Sequence, residues 1–153
     1  MNIELPKIEN LNEINKIAKQ VHDLHVDLRP DIFKSTNEVI SKERFEELIH
    51  NNEIFVTVEE NKIVGYAIIK IKEKNSIPGM HDRKILDLEA ICIDAKYRNK
   101  GIGTKLITFL INLGKEQKCT DFYLNVYEQN KEAIKLYEKL GMKVKNINYS
   151  MKI

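Results

Sequence analysis

Apolar positions change their period several times along this chain, and each change marks an element. From Asn10 to Leu28 the apolar residues Leu11, Ile14, Ile17, Ala18, Val21, Leu24 and Leu28 recur every three or four positions, which lays one stripe along a helix. The stretch RPDIFKSTNEV interrupts that stripe, with Pro30 forcing an extended or turned path. Ser41 then reads as the N-cap of a second helix whose apolar side is Phe45, Leu48 and Ile49. EIFVTVEENKIVGYAIIKIK predicts two strands around a turn at Glu60-Asn61-Lys62. After the loop KNSIPGMHDRK, ILDLEAICID predicts a strand, GIGTKLITFLINLGKEQ an amphipathic helix and DFYLNVY another strand. NKEAIKLYEKLG predicts a helix with Asn130 at its N-cap and Gly141 at its C-cap. NIELPKI supplies a short first strand and MKVKNINYSMKI a final strand region. The predicted order is β-αα-β-β-β-α-β-α-β. A hairpin followed by a βαβ unit argues for a mixed sheet with helices on both faces, an α/β (α+β) fold.

Composition narrows the classes. No linker, repeat or low-complexity stretch divides the chain, so residues 1–153 are expected to be a single domain. A chain of 153 residues buries roughly 68–70% of its unfolded surface and folds without a metal or disulfide. The 25 basic and 23 acidic residues nearly cancel, which weighs against a nucleic-acid partner and leaves room only for a local positive patch. MNIELPKIEN has no apolar run of a signal peptide, and LITFLI is far shorter than the ~20 residues that span a membrane. Two cysteines make no disulfide framework, so the expected compartment is cytoplasmic, with no membrane partner. The abundance of Ile, Lys and Asn suggests a bacterial-like, AT-rich genome.

The chemistry concentrates at Arg98-Asn99-Lys100-Gly101-Ile102-Gly103, between a strand and a helix. A P-loop would need a glycine where Arg98 stands and Lys before Thr, whereas the order here is Thr104-Lys105. A dinucleotide fingerprint would need a third glycine where Leu106 stands, and it would open the first βα unit. Arg-x-x-Gly-x-Gly at a helix start suits a pyrophosphate better. Backbone N–H groups there have no helical partner, the helix dipole is positive, and glycines let the backbone come close. Arg98, Lys100 and Lys105 add charge.

ICIDAKYRNKGIGTKLI followed by LNVYEQNKEAIKLYEKLGM resembles the Gcn5-related N-acetyltransferase family. The glycine-bearing stretch resembles its acetyl-CoA pyrophosphate loop. The stretch after it resembles the family's Asn-x-x-Ala-x-x-x-Tyr-x-x-x-Gly-Phe segment, here Asn130, Ala133, Tyr137 and Gly141. The resemblance covers residues 53–153 well and 1–52 in outline. Ala95 stands where proline is common, Asn99 where glycine is common, and Met142 where phenylalanine is usual. The implied fold is a mixed, mostly antiparallel sheet of six to seven strands. The implied activity is direct transfer of an acetyl group from acetyl-CoA to a primary amine of a small molecule or peptide, with no metal. The alternative is a catalytically silent module that holds acetyl-CoA and acts through a partner.

The resemblance also implies roles. Arg98, Asn99, Lys100, Gly101, Ile102, Gly103 and Thr104 would seat the pyrophosphate. The backbone of Ile91, Cys92 and Ile93 would pair with the pantetheine amides, because the two central strands splay apart in that fold. Asn130 would contact the pantetheine, and Tyr137, two turns further along the same helix face, would protonate the departing thiolate. Glu89 is the expected base. It is an acid in an otherwise apolar strand, costly there unless hydrated or partnered, and some relatives carry a glutamate at the matching position. Asp87, two residues back, is the substitute. Strict alternation would put Asp87, Glu89, Ile91 and Ile93 on one side and Leu88, Ala90 and Cys92 on the other. Relatives that acetylate protein N-termini often carry a glutamate twelve residues before the tyrosine, where this chain has Asn125. His22 and His25, with Asp23 and Asp27 nearby, lack a second ligand cluster and read as a polar helix face. The segment LHVDLRPDIFK borders the acceptor pocket in such folds. Cys92 and Cys119 have no neighbouring base to make a nucleophile. A homodimer is an open expectation.

Overall fold

The computed structural model describes all 153 residues. Five strands, β1 (Asn2–Glu4), β2 (Ile54–Glu59), β3 (Lys62–Lys74), β4 (Arg83–Ile93) and β5 (Asp121–Leu124), form one sheet in chain order. β1 to β4 are antiparallel neighbours, and β5 joins β4 in parallel. Four helices cover it: α1 (Leu11–Leu28), α2 (Lys42–His50), α3 (Ile102–Glu116) and α4 (Lys131–Lys139). None of the helices is long and apolar enough to cross a membrane.

The two faces of the sheet bury different sets. Ile14, Ile17 and Ala18 of α1 and Phe45 and Leu48 of α2 pack on Ile54, Val56, Tyr66, Ile68 and Cys92. Leu106 and Leu110 of α3 pack on Phe55, Ala67, Ile69, Leu86 and Leu88. β2 and β3 are therefore apolar on both sides, as strands sandwiched between helices must be. Local signals act where the pattern places them. Ser41 Oγ accepts the Arg44 N–H at 3.2 Å and starts α2. Asn130 Oδ1 accepts the Ala133 N–H at 3.3 Å and starts α4, and Gly141, at φ 84°, ends it just past Leu140. Glu60 and Asn61 both hold positive φ, the conformation a two-residue hairpin demands.

The sheet differs from expectation in three ways. It has five strands rather than six to seven. β5 stops at Leu124, three residues before Tyr127. Residues 142–153 form no strand, and none of their backbone groups bonds to a strand of the chain. Within β4 the alternation also slips. Ile68 faces Ala90 and Ile69 faces Leu88, so Glu89 is an extra residue in a β-bulge. The slip keeps Ile91 and Ile93 on the α3 face with Leu86 and Leu88, and puts Ala90 and Cys92 on the α1–α2 face. Asp87 and Glu89 do share a side, but Ile91 and Ile93 are not on it.

Candidate functional site

β4 runs five residues past its last partner on β5, the pair Leu88 and Leu124. From Glu89 to Ile93 it is bonded to β3 alone, and its backbone groups on the other side face an open cleft. An unpaired N–H or C=O at the base of a cleft is costly unless something pairs with it. Gly65 on β3 holds the end of this strand close. A Cβ there would lie 2.5 Å from Ile93 Cδ1 and 3.0 Å from the Cys92 carbonyl oxygen. At the mouth of the cleft, Gly103 at the start of α3 faces Leu136 of α4 and Ile93 of β4. Three elements thus converge where the glycine loop enters α3.

The loop is built to leave its donors free. Asp94 Oδ1 accepts the Lys96 N–H at 2.9 Å and opens a single 3-10 turn, Ala95–Tyr97. Asn99 (φ 61°) and Gly101 (φ 76°) then turn the chain through the left-handed region. The six N–H groups from Asn99 to Thr104 make no hydrogen bond within the chain; the first satisfied donor is Lys105, bonded to the Gly101 carbonyl at 3.0 Å. The buried Ile102 side chain anchors the turn beneath them. Arg98 behaves differently from expectation. Its Nε donates to the Ile93 carbonyl at 3.0 Å, which ties the loop to β4 and occupies one of the strand groups expected to be open. Lys100 Nζ lies 4.9 Å from the Tyr97 ring centre.

Glu89, the extra residue of the bulge, is exposed and meets α2 through Arg44. Arg44 Nη2 donates to Glu89 Oε2 at 3.4 Å while its Nη1 donates to Glu47 at 2.8 Å. Asp87 is held by Lys72, and Lys70 lies 3.9 Å from Glu53. Tyr123 of β5, opposite Asp87, accepts from Arg83 at 3.0 Å. Around the rim, the α1–α2 connection packs on the segment after β5. Phe33 lies against His25 (5.2 Å between ring centres) and Tyr127 (6.1 Å), and Arg29 stacks over Tyr127 at 5.6 Å. The His22 ring nitrogen bonds to the Lys34 carbonyl at 2.8 Å. Burial, with the neighbouring His22, pushes His25 below its ordinary value. The two histidines therefore fasten the connecting loop to α1. Sequence reasoning flagged this loop but missed Tyr127, which packs on Phe33, and Arg44, which joins Glu89 from 45 positions away.

Tyr137 is half-buried on α4, and burial raises its phenol above the ordinary tyrosine range, so its O–H stays protonated at neutral pH. Asn130 spends its Oδ1 on the α4 cap and its Nδ2 makes no hydrogen bond within the chain. Burial raises both Cys92 and Cys119, which keeps them as thiols, and Cys92 Sγ donates to the Ile17 carbonyl at 3.3 Å. Of the named positions, Cys92 therefore offers only its backbone to the cleft. Two surface hollows, of about 570 and 220 Å³, lie along the outer side of α1 and beside Ile63 and Tyr97. Neither is lined by Glu89 or by the free donors of the glycine loop.

Sequence comparison agrees with this geometry. A sequence model described as the acetyltransferase (GNAT) family matches residues 18–142, and the chain belongs to that family. Spermine/spermidine N(1)-acetyltransferase of Bacillus subtilis is 34% identical over 83 residues, 54% of this chain and 53% of that protein. N-alpha-acetyltransferase 30 of Homo sapiens is 31% identical over 120 residues, 73% of this chain and 31% of that protein. The chain thus spans about half, or less, of the length of these relatives. Among solved structures, a tetramutant of the BH1408 protein of Bacillus halodurans superposes with a TM-score of 0.95 at 28% identity, each chain covered completely. The aminoglycoside acetyltransferase AAC(6')-Iy, solved with CoA, shares the fold at a TM-score of 0.71 and 17% identity.

Proposed function

We propose that this protein is an acetyl-CoA-dependent N-acetyltransferase acting on a primary amine. The observation that carries the reading is the run of six free N–H groups, Asn99 to Thr104, at the mouth of a cleft whose floor is the unpaired edge of β4. Free donors at a helix start suit a pyrophosphate. A row of unpaired strand groups suits the amides of a pantetheine arm. Ile102, Gly103 and Thr104 would hold the former, with Lys100 adding charge. Ile91, Cys92 and Asn130 would hold the latter, together with whatever Ile93 has left after Arg98. Bound there, acetyl-CoA supplies the acetyl group as a thioester.

The chain's own residues then handle two protons. A lysine-like amine titrates near ~10.4, so presenting it neutral at pH ~7.4 costs about 4 kcal/mol. Glu89 takes that proton, directly or through a water, as the N–C bond forms. The C–S bond breaks, and Tyr137 passes its phenolic proton to the departing thiolate. Arg44 holds the Glu89 carboxylate toward the acceptor side. The acceptor approaches between Glu89, Tyr123 and the Phe33–Tyr127 rim, a face with both acids and cations, suited to a small polyamine or a peptide. Two unpaired thiols fit a cytoplasmic setting.

Calorimetric titration with acetyl-CoA, beside dephospho-CoA and NADH, tests the cofactor. Micromolar binding of acetyl-CoA with no heat from NADH is expected; the reverse would end the reading. Thiol release is then followed with spermidine, thialysine and short peptides as acceptors. Turnover with at least one, lost in Tyr137→Phe, is the expected outcome. Tight binding without turnover on any amine would favour the silent acetyl-CoA holder instead.

A further inference from the structure

Charges on the sheet face around Glu89 are matched pair by pair. Arg44 lies 2.8 Å from Glu47 and 3.4 Å from Glu89. Lys70 lies 3.9 Å from Glu53, and Lys72 is bonded to Asp87. Toward the rim, Arg29 and Asp31 pair at 2.8 Å. Glu47 holds Arg44 more closely than Glu89 does, so an incoming ammonium can take Glu89 over. The acids beside it offer no second place. Glu47 and Asp87 already have their cations. The Glu53 side chain is 15% exposed, and its Oε2 is closed off from solvent.

The unmatched charges are cations, and they gather at one end of the face. Tyr123 of β5 stands opposite Asp87, which shares a side with Glu89. Arg83 Nη1 donates to the Tyr123 hydroxyl at 3.0 Å, while its Nε and Nη2 make no hydrogen bond in the chain. Lys145 Nζ lies 3.6 Å from the centre of the same ring. Lys74, opposite Arg83 on β3, is exposed. None of these three cations forms an ion pair. Asp121, two residues before Tyr123, accepts instead from Thr120 at 2.6 Å. Cations crowded on one ring repel one another. A guanidinium with unused donors is a natural seat for a carboxylate. Strand spacing puts Tyr123 one strand across and two residues along from Glu89, roughly 8 Å away.

We propose that the acceptor is an amine that also carries a carboxylate, as an ω-amino acid does, with its ammonium at Glu89 and its carboxylate between Arg83 and Lys145. The inference rests on the acetyl-transfer reading and narrows its acceptor. A zwitterion brings the opposite charge to both ends of the face. A polyamine would bring its second ammonium to the cationic end, where like charges meet, and such a mismatch is what rejects a wrong partner. The two cations have different parts. The planar fork of Arg83, tied to Tyr123, orients the carboxylate, and Lys145 adds a point charge from the exposed tail.

Thiol release at saturating acetyl-CoA tests this with matched acceptors. ε-Aminocaproate, cadaverine and pentylamine share one amine and one chain, and end in a carboxylate, an ammonium and a methyl group. γ-Aminobutyrate, diaminopropane and propylamine form a shorter set. In at least one set the amino acid is expected to exceed both partners in kcat/KM by about tenfold, the worth of one charge-assisted bond, with the difference in KM. Lys145→Glu is expected to turn the preference toward the diamine. Its side chain is exposed, so the circular dichroism spectrum should not change. Arg83→Gln is expected to bring the amino acid down to the level of the alkylamine, and Arg83→Lys to restore part of the difference. A diamine or alkylamine that matches the amino acid in both sets overturns this inference and leaves acetyl transfer standing. So does an order that Lys145→Glu and Arg83→Gln both leave unchanged. Acetyl-CoA that does not bind, or no turnover on any amine, overturns the acetyl-transfer reading and this inference with it.

Discussion

β4 is two strands of different character joined at Glu89. From Arg83 to Leu88 it is bonded to β3 on one side and to β5 on the other, and Leu86 is fully buried against α3. From Glu89 to Ile93 it keeps β3 but loses β5, and its free side becomes the floor of the cleft. Both halves have similar apolar composition and the same neighbour. A single extra residue separates a stretch paired on both sides from one paired on one side only, whose free groups we propose for the cofactor. Glu89, the extra residue of the bulge, is open to water and meets Arg44 of α2.

The largest effect expected from this division is on the chemical step. Glu89→Gln should lower kcat by about 10²–10⁴, the usual worth of a general base. Stability should change by less than about 1 kcal/mol, since the pair with Arg44 is 3.4 Å long and both partners are about one-third exposed. Steady-state thiol release and urea unfolding on the same preparations check both parts. Asp87→Asn, run in parallel, should retain most activity. If it is the more damaged of the two, the base sits in the wrong half of β4.

The mirror experiment belongs to the first half. Leu86→Ala removes a fully buried side chain and should cost about 2–5 kcal/mol, with the spread set by how far the core collapses. Below its melting temperature the variant should bind acetyl-CoA as the parent does. A kinetic defect at full stability would show that the two halves are coupled. Gly65→Ala probes that coupling from the second half. The added methyl meets Ile93 Cδ1, which can swing, and the Cys92 carbonyl, which cannot. The end of β4 must shift, costing about 1–3 kcal/mol as overpacking does. Acetyl-CoA affinity should fall about tenfold by calorimetry while the amine KM stays put; unchanged affinity would mean that this edge of β4 does not touch the cofactor.

What could be read from the sequence divides along similar lines. Helix stripes, the Ser41 and Asn130 caps and the glycine loop all depend on residues a few positions apart, so local chemistry reports them. The bulge depends on which residue of β4 faces Ile68 and which faces Ile69, and nothing within DLEAICI states that register. Its consequence, the crossing of Ile91 and Ile93 to the α3 face, was therefore misread by simple alternation. Arg44 joins Glu89 from 45 residues away, a pairing that only the packing of α2 creates. Arg98, expected at the phosphate because of its charge, also bonds through Nε to the Ile93 carbonyl, a contact no local pattern announces. The final strand expected of MKVKNINYSMKI is absent: Ile147, Tyr149, Met151 and Ile153 alternate, but alternation makes no strand without a ladder partner, and none of these residues bonds to β5.

The smallest effect is one of pH, and it tests the second half of β4 alone. Tyr66 faces Cys92 across the ladder and is 2% exposed, and burial raises its phenol well above the ordinary value. Tyr137 is raised in the same direction by the same cause. In the unfolded chain both ionise near ~10, whereas in the folded chain they keep their protons. Their contribution to stability is therefore fully present below pH ~10 and is lost as pH rises through the folded values. Between pH 7 and 9 neither should give stability any slope. Above ~10, unfolding free energy should fall by up to about 1.4 kcal/mol per pH unit for each tyrosine. Tyr66→Phe should flatten that slope by one proton without altering the alkaline limb of activity. Tyr137→Phe should flatten it too, but with turnover lost. If Tyr66→Phe leaves the slope intact, the phenol reaches solvent, and the second half of β4 is open on the helix side as well as toward β5.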